Sequence, residues 1–100
     1  MAVRVSADQF DNEVIQSEKT VVADFYSDSC VPCKRLSPVI AEIEEEHPEI
    51  KAVKVNINFD SELAEKYGVM TVPTVIIFKN GAESERIHGT IKKSDIEAMI

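Results

Sequence analysis

The stretch TVVADFYSDSCVPCKRLSP, residues 20–38, constrains the fold more than any other part of the chain. Its first seven residues are mostly apolar and β-branched, and they read as a short buried strand. Cys30 and Cys33 follow, three apart, with Pro32 between them. From about Val31 a helix is expected, because Leu36, Val39, Ile40 and Ile43 recur at i, i+3, i+4 and i+7. Pro32 suits the first turn of that helix. Pro38 lies inside it and is expected to kink it, and Pro48 to stop it. A buried strand that runs into a helix with two cysteines at the junction is one half of a βαβ unit with chemistry at its open end.

The remaining segments extend that unit. Val3 to Val5 is a short strand, and Ser6 opens a helix with Gln9 as its reciprocal capping partner. KAVKVNI, residues 51–57, is the next strand. Asp60 or Ser61 starts a short helix that ends at Tyr67, with Gly68 well suited to follow it. TVIIFK, residues 74–79, is a strand, and Asn80-Gly81 is a strong hairpin signal, so the strand at about Glu83 to His88 runs antiparallel to it. Ser94 is expected to cap a last helix with Glu97 as partner. The order β-α-β-α-β-α-β-β-α predicts an α/β fold. A central mixed sheet of about five strands is flanked by about four helices, with helices on both faces. The 100 residues form a single domain, with no repeat or linker.

Bulk properties remove several function classes. A formal net charge of −7 opposes binding to nucleic acid. The longest apolar run, residues 70–78, is too short to span a bilayer and is interrupted by Pro73. The N-terminus has no apolar stretch of signal-peptide length, so a cytoplasmic protein is the expectation, where thiols are kept reduced. A purely structural disulfide does not fit that setting. It would also close only a tiny loop, where a cross-link stabilises least.

The cysteines therefore point to redox chemistry. A helix N-terminus presents unpaired N–H groups and a partial positive charge, which stabilise a thiolate. Cys30 at that end is the candidate nucleophile. Cys33, one turn further on, is placed to attack a mixed disulfide on Cys30 and release the reduced substrate. Lys34 and Arg35 add positive charge nearby. Zinc would need about four ligands, and the chain offers two cysteines and two histidines, His47 and His88, far apart in sequence. A cysteine hydrolase would need a histidine beside the nucleophile, and sequence places neither one there. Inert core cysteines are the remaining alternative. Asp24 stands out separately: a carboxylate among Val21, Val22, Ala23 and Phe25 should have a raised pKa, which suits a proton acceptor for Cys33 as well as a satisfied structural acid.

These residues resemble the thioredoxin family, along nearly the whole chain. The resemblance runs through VVADFY, CVPCK, LSPVIAEIEEE, VKVNI, ELAEKYGV, VPTVIIFKNG and the lone late Gly89. It implies the thioredoxin fold and a protein-disulfide reductase with Cys30 and Cys33 as its redox-active disulfide, no bound cofactor and no metal. Asp24 matches the family's buried acid, and Lys54 the lysine that pairs loosely with it. Pro73 matches the family's cis-proline, with Val72 left free to pair with an extended substrate segment. Substrate contact is implied for Val31 and Pro32, for Thr71, Val72 and Pro73, and for His88 and Gly89. The implied partners are disulfide-containing proteins and a thioredoxin reductase, a flavoenzyme, acting on a monomer.

The chain departs from the family pattern around Cys30. Ser29 stands where most members carry Trp, and Val31 where Gly is familiar. His88 replaces an apolar residue, and Thr71 and Thr90 stand where small residues are common. These variations resemble atypical thioredoxins of some anaerobic bacteria. They sit on the surface that would meet a partner, so a specialised partner set is expected; a binding or assembly module in which turnover is incidental is the alternative. His88 reads either as a rim histidine or as a group that tunes Cys30 with pH. The acidic run at 42–49 reads as the solvated end of a helix.

Overall fold

The computed structural model describes residues 2–100. In chain order its elements are β1 (Val3–Arg4), α1 (Ala7–Phe10), β2 (Thr20–Tyr26), α2 (Val31–Glu46), β3 (Ile50–Asn56), α3 (Ser61–Lys66), β4 (Thr74–Lys79), β5 (Ala82–His88) and α4 (Lys93–Glu97). A π-helical turn, Asp11–Ile15, prolongs α1. The sheet order is β1-β3-β2-β4-β5. β1 and β2 run parallel to β3, β4 runs antiparallel to β2, and β5 antiparallel to β4. This is the mixed sheet of a thioredoxin-type α/β fold. β2 lies at its centre, which explains why the sequence of that strand is apolar on both faces.

Strand alternation sorts the core into two layers. Val21, Ala23 and Phe25 of β2 pack with Phe10, Val14 and Leu63 on one face. Val22 of β2 packs with Leu36, Ile40, Ile43 and Ile96 on the other. Each fully buried Ile, Val or Phe contributes on the order of 1.5–3 kcal/mol relative to exposure. Asp24 shares the parity of Val22, so it points to the layer beneath α2. The register sets Asp24 beside Lys54 on β3 and beside Val75 on β4.

The helix ends mostly follow their sequence signals. The Ser6 backbone N–H donates to Gln9 Oε1 at 3.0 Å, completing the expected capping box. α2 continues through Pro38 to Glu46, and the His47 N–H closes it on the Ile43 carbonyl at 2.9 Å. Asn80 and Gly81 both take positive φ, 54° and 80°, as a two-residue hairpin turn requires. The last helix corrects the expectation of a Ser94–Glu97 cap. α4 starts two residues earlier, capped at Lys92, whose N–H donates to Asp95 Oδ2 at 2.9 Å. Glu97 instead faces His47 Nε2 at 3.0 Å. The acidic end of α2 is likewise tied down, because Lys93 Nζ donates to Glu42 at 2.7 Å and to Glu46 at 2.8 Å.

Candidate redox site

Cys30 occupies the N-cap of α2 in extended backbone, φ −92° and ψ 110°. An N-cap must supply an acceptor for the first free amides of its helix. Here that acceptor is sulfur: the Cys33 N–H donates to Cys30 Sγ at 3.1 Å. The Cys30 N–H donates back to the Ser27 carbonyl at 3.2 Å. Cys30 is half-buried, whereas Cys33, one turn inside, is only 4% exposed. The two sulfurs are bonded, with Cα atoms 5.2 Å apart, within the ordinary disulfide range. The site is thus the oxidised half of a dithiol–disulfide couple, with its more accessible sulfur at the positive end of a helix.

Asp24 is completely buried, and neither carboxylate oxygen has a hydrogen-bond partner. Burial pushes its pKa up to about 7, while the nearby Lys54 ammonium pulls the other way. The lysine is not hydrogen-bonded to it. Lys54 Nζ donates to Ser37 Oγ on α2 at 3.4 Å and sits 4.6 Å from the centroid of the Tyr26 ring. The attraction between Asp24 and Lys54 therefore acts through space between register neighbours.

The Val72–Pro73 peptide is cis. The Pro73 carbonyl accepts from the Gly89 N–H at 3.4 Å, and Thr74 Oγ1 donates to the Thr71 carbonyl at 2.7 Å. Pro32, Pro73 and Gly89 come together in one groove of about 240 Å³ with Leu36, Val39 and Ile91. Thr71 and His88 lie apart from it, in a hollow that includes Met70 and Arg86. Val31 is exposed and Val72 half-buried.

Several residues that sequence reasoning passed over belong to the site. A polar pocket of about 320 Å³ reaches Cys33 and is lined by Tyr26, Ser27, Asp28, Lys34, Ser37 and Lys54. Beside it, Ser29 Oγ lies 3.2 Å from Ser27 Oγ, which also accepts from Asn58 Nδ2 at 3.2 Å. Asn56 Nδ2 donates to Asp28 Oδ2 at 3.2 Å. Ser29 is therefore part of a hydrogen-bonded shelf built from the β2–α2 and β3–α3 loops. Ser29, Lys34 and Lys54 stand out in the sequence on other grounds, whereas Tyr26, Ser27, Asp28, Ser37, Asn56 and Asn58 join the site only through the tertiary fold.

A half-exposed cysteine capping a helix, bonded to a buried partner one turn on, in this α/β fold, defines a thiol–disulfide oxidoreductase. Comparison with known proteins agrees. The thioredoxin family model matches residues 1–100. The chain is 36% identical over 97 residues to a thioredoxin of Rickettsia bellii, covering 96% of this chain and 92% of that one. It is 34% identical over 100 residues to thioredoxin 1 of a Nostoc species, covering 99% and 94%. It is 37% identical over 93 residues to the chloroplastic M-type thioredoxin of Chlamydomonas reinhardtii, covering 92% of this chain and 66% of that one. The chain belongs to the thioredoxin family, and its activity is that of a protein-disulfide reductase. No helix among the described residues is long and apolar enough to cross a membrane.

Proposed function

We propose that this reductase acts on a restricted set of protein disulfides, with Cys30 as nucleophile and Cys33 as resolving thiol. The Cys30 thiolate attacks one substrate sulfur, the substrate S–S bond breaks, and one substrate thiolate leaves. Cys33 then gives its proton to Asp24 and attacks Cys30 Sγ, releasing the second substrate thiolate. The substrate gains two electrons, and the Cys30–Cys33 pair is left as the disulfide. A flavoenzyme reductase returns it to the dithiol in the cytoplasm, and no bound cofactor is required. The observation that carries this reading is the 3.1 Å contact from the Cys33 amide to Cys30 Sγ, which supports a thiolate at Cys30 once the bond is reduced. Val72 supports the substrate role: its backbone makes no hydrogen bond to another backbone group among the described residues, so an extended peptide can pair with it beside Pro73. The polar shelf at Ser29 supports the restricted set, since it offers hydrogen bonds where an aromatic side chain would offer apolar area.

A redox titration tests the reading. The protein is equilibrated in thiol–disulfide buffers of graded potential, free thiols are alkylated, and labels are counted by mass. Both labels should disappear together in one two-electron transition, with a midpoint at or below a cytosolic poise of roughly −220 to −320 mV. Two labels at every potential would show that the cysteines form no reversible pair.

A further inference from the structure

Cys33 and Ser37 lie four residues apart on α2 and share the helix face that lines the polar pocket. From the same pocket wall, Lys54 reaches up from β3 and is held at two points, the Ser37 hydroxyl and the face of the Tyr26 ring. One strand over, its register neighbour Asp24 keeps both oxygens without a partner. An unheld ammonium beside an unpaired buried carboxylate would close on it. Such an ion pair would favour the charged carboxylate and make it a poorer proton acceptor. The Ser37 hydroxyl can accept a hydrogen bond from an ammonium, and an alanine in its place could not.

We propose that Ser37 is a positioning residue of the reductase: its hydroxyl holds Lys54 in the polar pocket, short of a hydrogen-bonded ion pair with Asp24, and so keeps the Asp24 carboxylate open to the Cys33 proton. The proposal rests on the reading of Asp24 as acceptor in the resolving step. In that step the Cys33 S–H bond breaks, the proton passes to an Asp24 oxygen, and the sulfur electron pair forms the bond to Cys30 as the substrate thiolate departs. The groups that bear on Asp24 are few. β3 contributes Lys54, the charge that acts on Asp24, and Cys33 and the exposed Lys34 of α2 line the same pocket as Lys54. β4 contributes Val75 in register, with no titratable side chain, and Asp28 lies on the pocket's loop side, held by Asn56. Lys54 is therefore the charge whose position decides how strongly Asp24 holds a proton.

Ser37→Ala and Ser37→Thr test this, the first a change that favours helix. The Asp24 carboxyl is followed by carbon NMR against pH in the reduced protein, and reduction of insulin disulfides is followed in single turnover over the same range. In Ser37→Ala the Asp24 midpoint should fall by about half a pH unit or more, the kinetic pH profile should move with it, and Ser37→Thr should restore both. An unmoved or raised midpoint overturns the proposal, as does a midpoint that moves without the kinetic profile. Those results leave the reductase reading intact. Two labels at every potential in the redox titration would remove that reading, and this proposal with it.

Discussion

At the scale of single residues, Asp24 links chemistry to stability. Its pKa rises from an ordinary 3.8 to about 7 in the folded protein, because burial disfavours the charged form. Between those values the folded chain holds a proton that the unfolded chain has lost, so stability falls as pH rises through this window. The full difference, about three pH units, corresponds to roughly 4 kcal/mol. Asp24→Asn should therefore flatten the pH dependence between about pH 4 and 8 and raise stability most at the alkaline end. Urea unfolding at several pH values reads this directly, and an unchanged slope would mean that Asp24 titrates normally. A flattened slope would show that the acid is retained for proton transfer at a cost in stability. Ser29 makes the complementary point at the surface. Ser29→Trp removes a member of the shelf with Ser27 and adds apolar area next to Cys30. It should raise kcat/KM severalfold for disulfides flanked by apolar residues. If no substrate changes its rate, the idea of a restricted partner set is wrong.

At the scale of elements, the signals that were legible in the sequence are those set by a single segment. β2 and β4 coincide with the segments read as strands, TVVADFY and TVIIFK, because each is a short, largely apolar run buried on both faces. The Asn80-Gly81 turn was legible because its backbone needs positive φ at both positions. Gly81 also has a tertiary role invisible in sequence: a Cβ there would meet the Ile15 carbonyl oxygen at 2.5 Å, at the end of the π-helical turn. Gly81→Ala should destabilise the fold by about 1–3 kcal/mol, read as a shift in the denaturant midpoint without change in its slope. The end of α4 was misread because Ser94 and Glu97 match a capping pattern locally. The observed start is set by Asp95 on the Lys92 amide, while Glu97 turns to His47 of α2. The candidate site divides the same way. Cys30, Cys33 and Asp24 stand out because spacing and burial mark them, and the register explains Lys54. Ser37, Tyr26 and the Ser27–Ser29–Asn58 shelf arise only when α2, β3 and two loops approach, which no local pattern encodes.

At the scale of the molecule, the sheet is graded in stability from centre to edge. β2 is bonded on both sides, to β3 and β4, whereas β1 has two residues and β5 is exposed along nearly all of its length. Native-state amide exchange should be slowest in β2 and in the strands that bond to it, β3 and β4, and fastest in β1 and the outer amides of β5. Equal protection in β1 and β2 would contradict the observed order. The order also bears on how the chain is made. β2 is translated early, yet its neighbours on either side lie some thirty and fifty residues downstream. Until Phe78 has left the ribosome, the central strand of the protein has an unpaired edge. A nascent chain paused before that point is a target for chaperones and for self-association, and each further residue of β4 that emerges withdraws it from both.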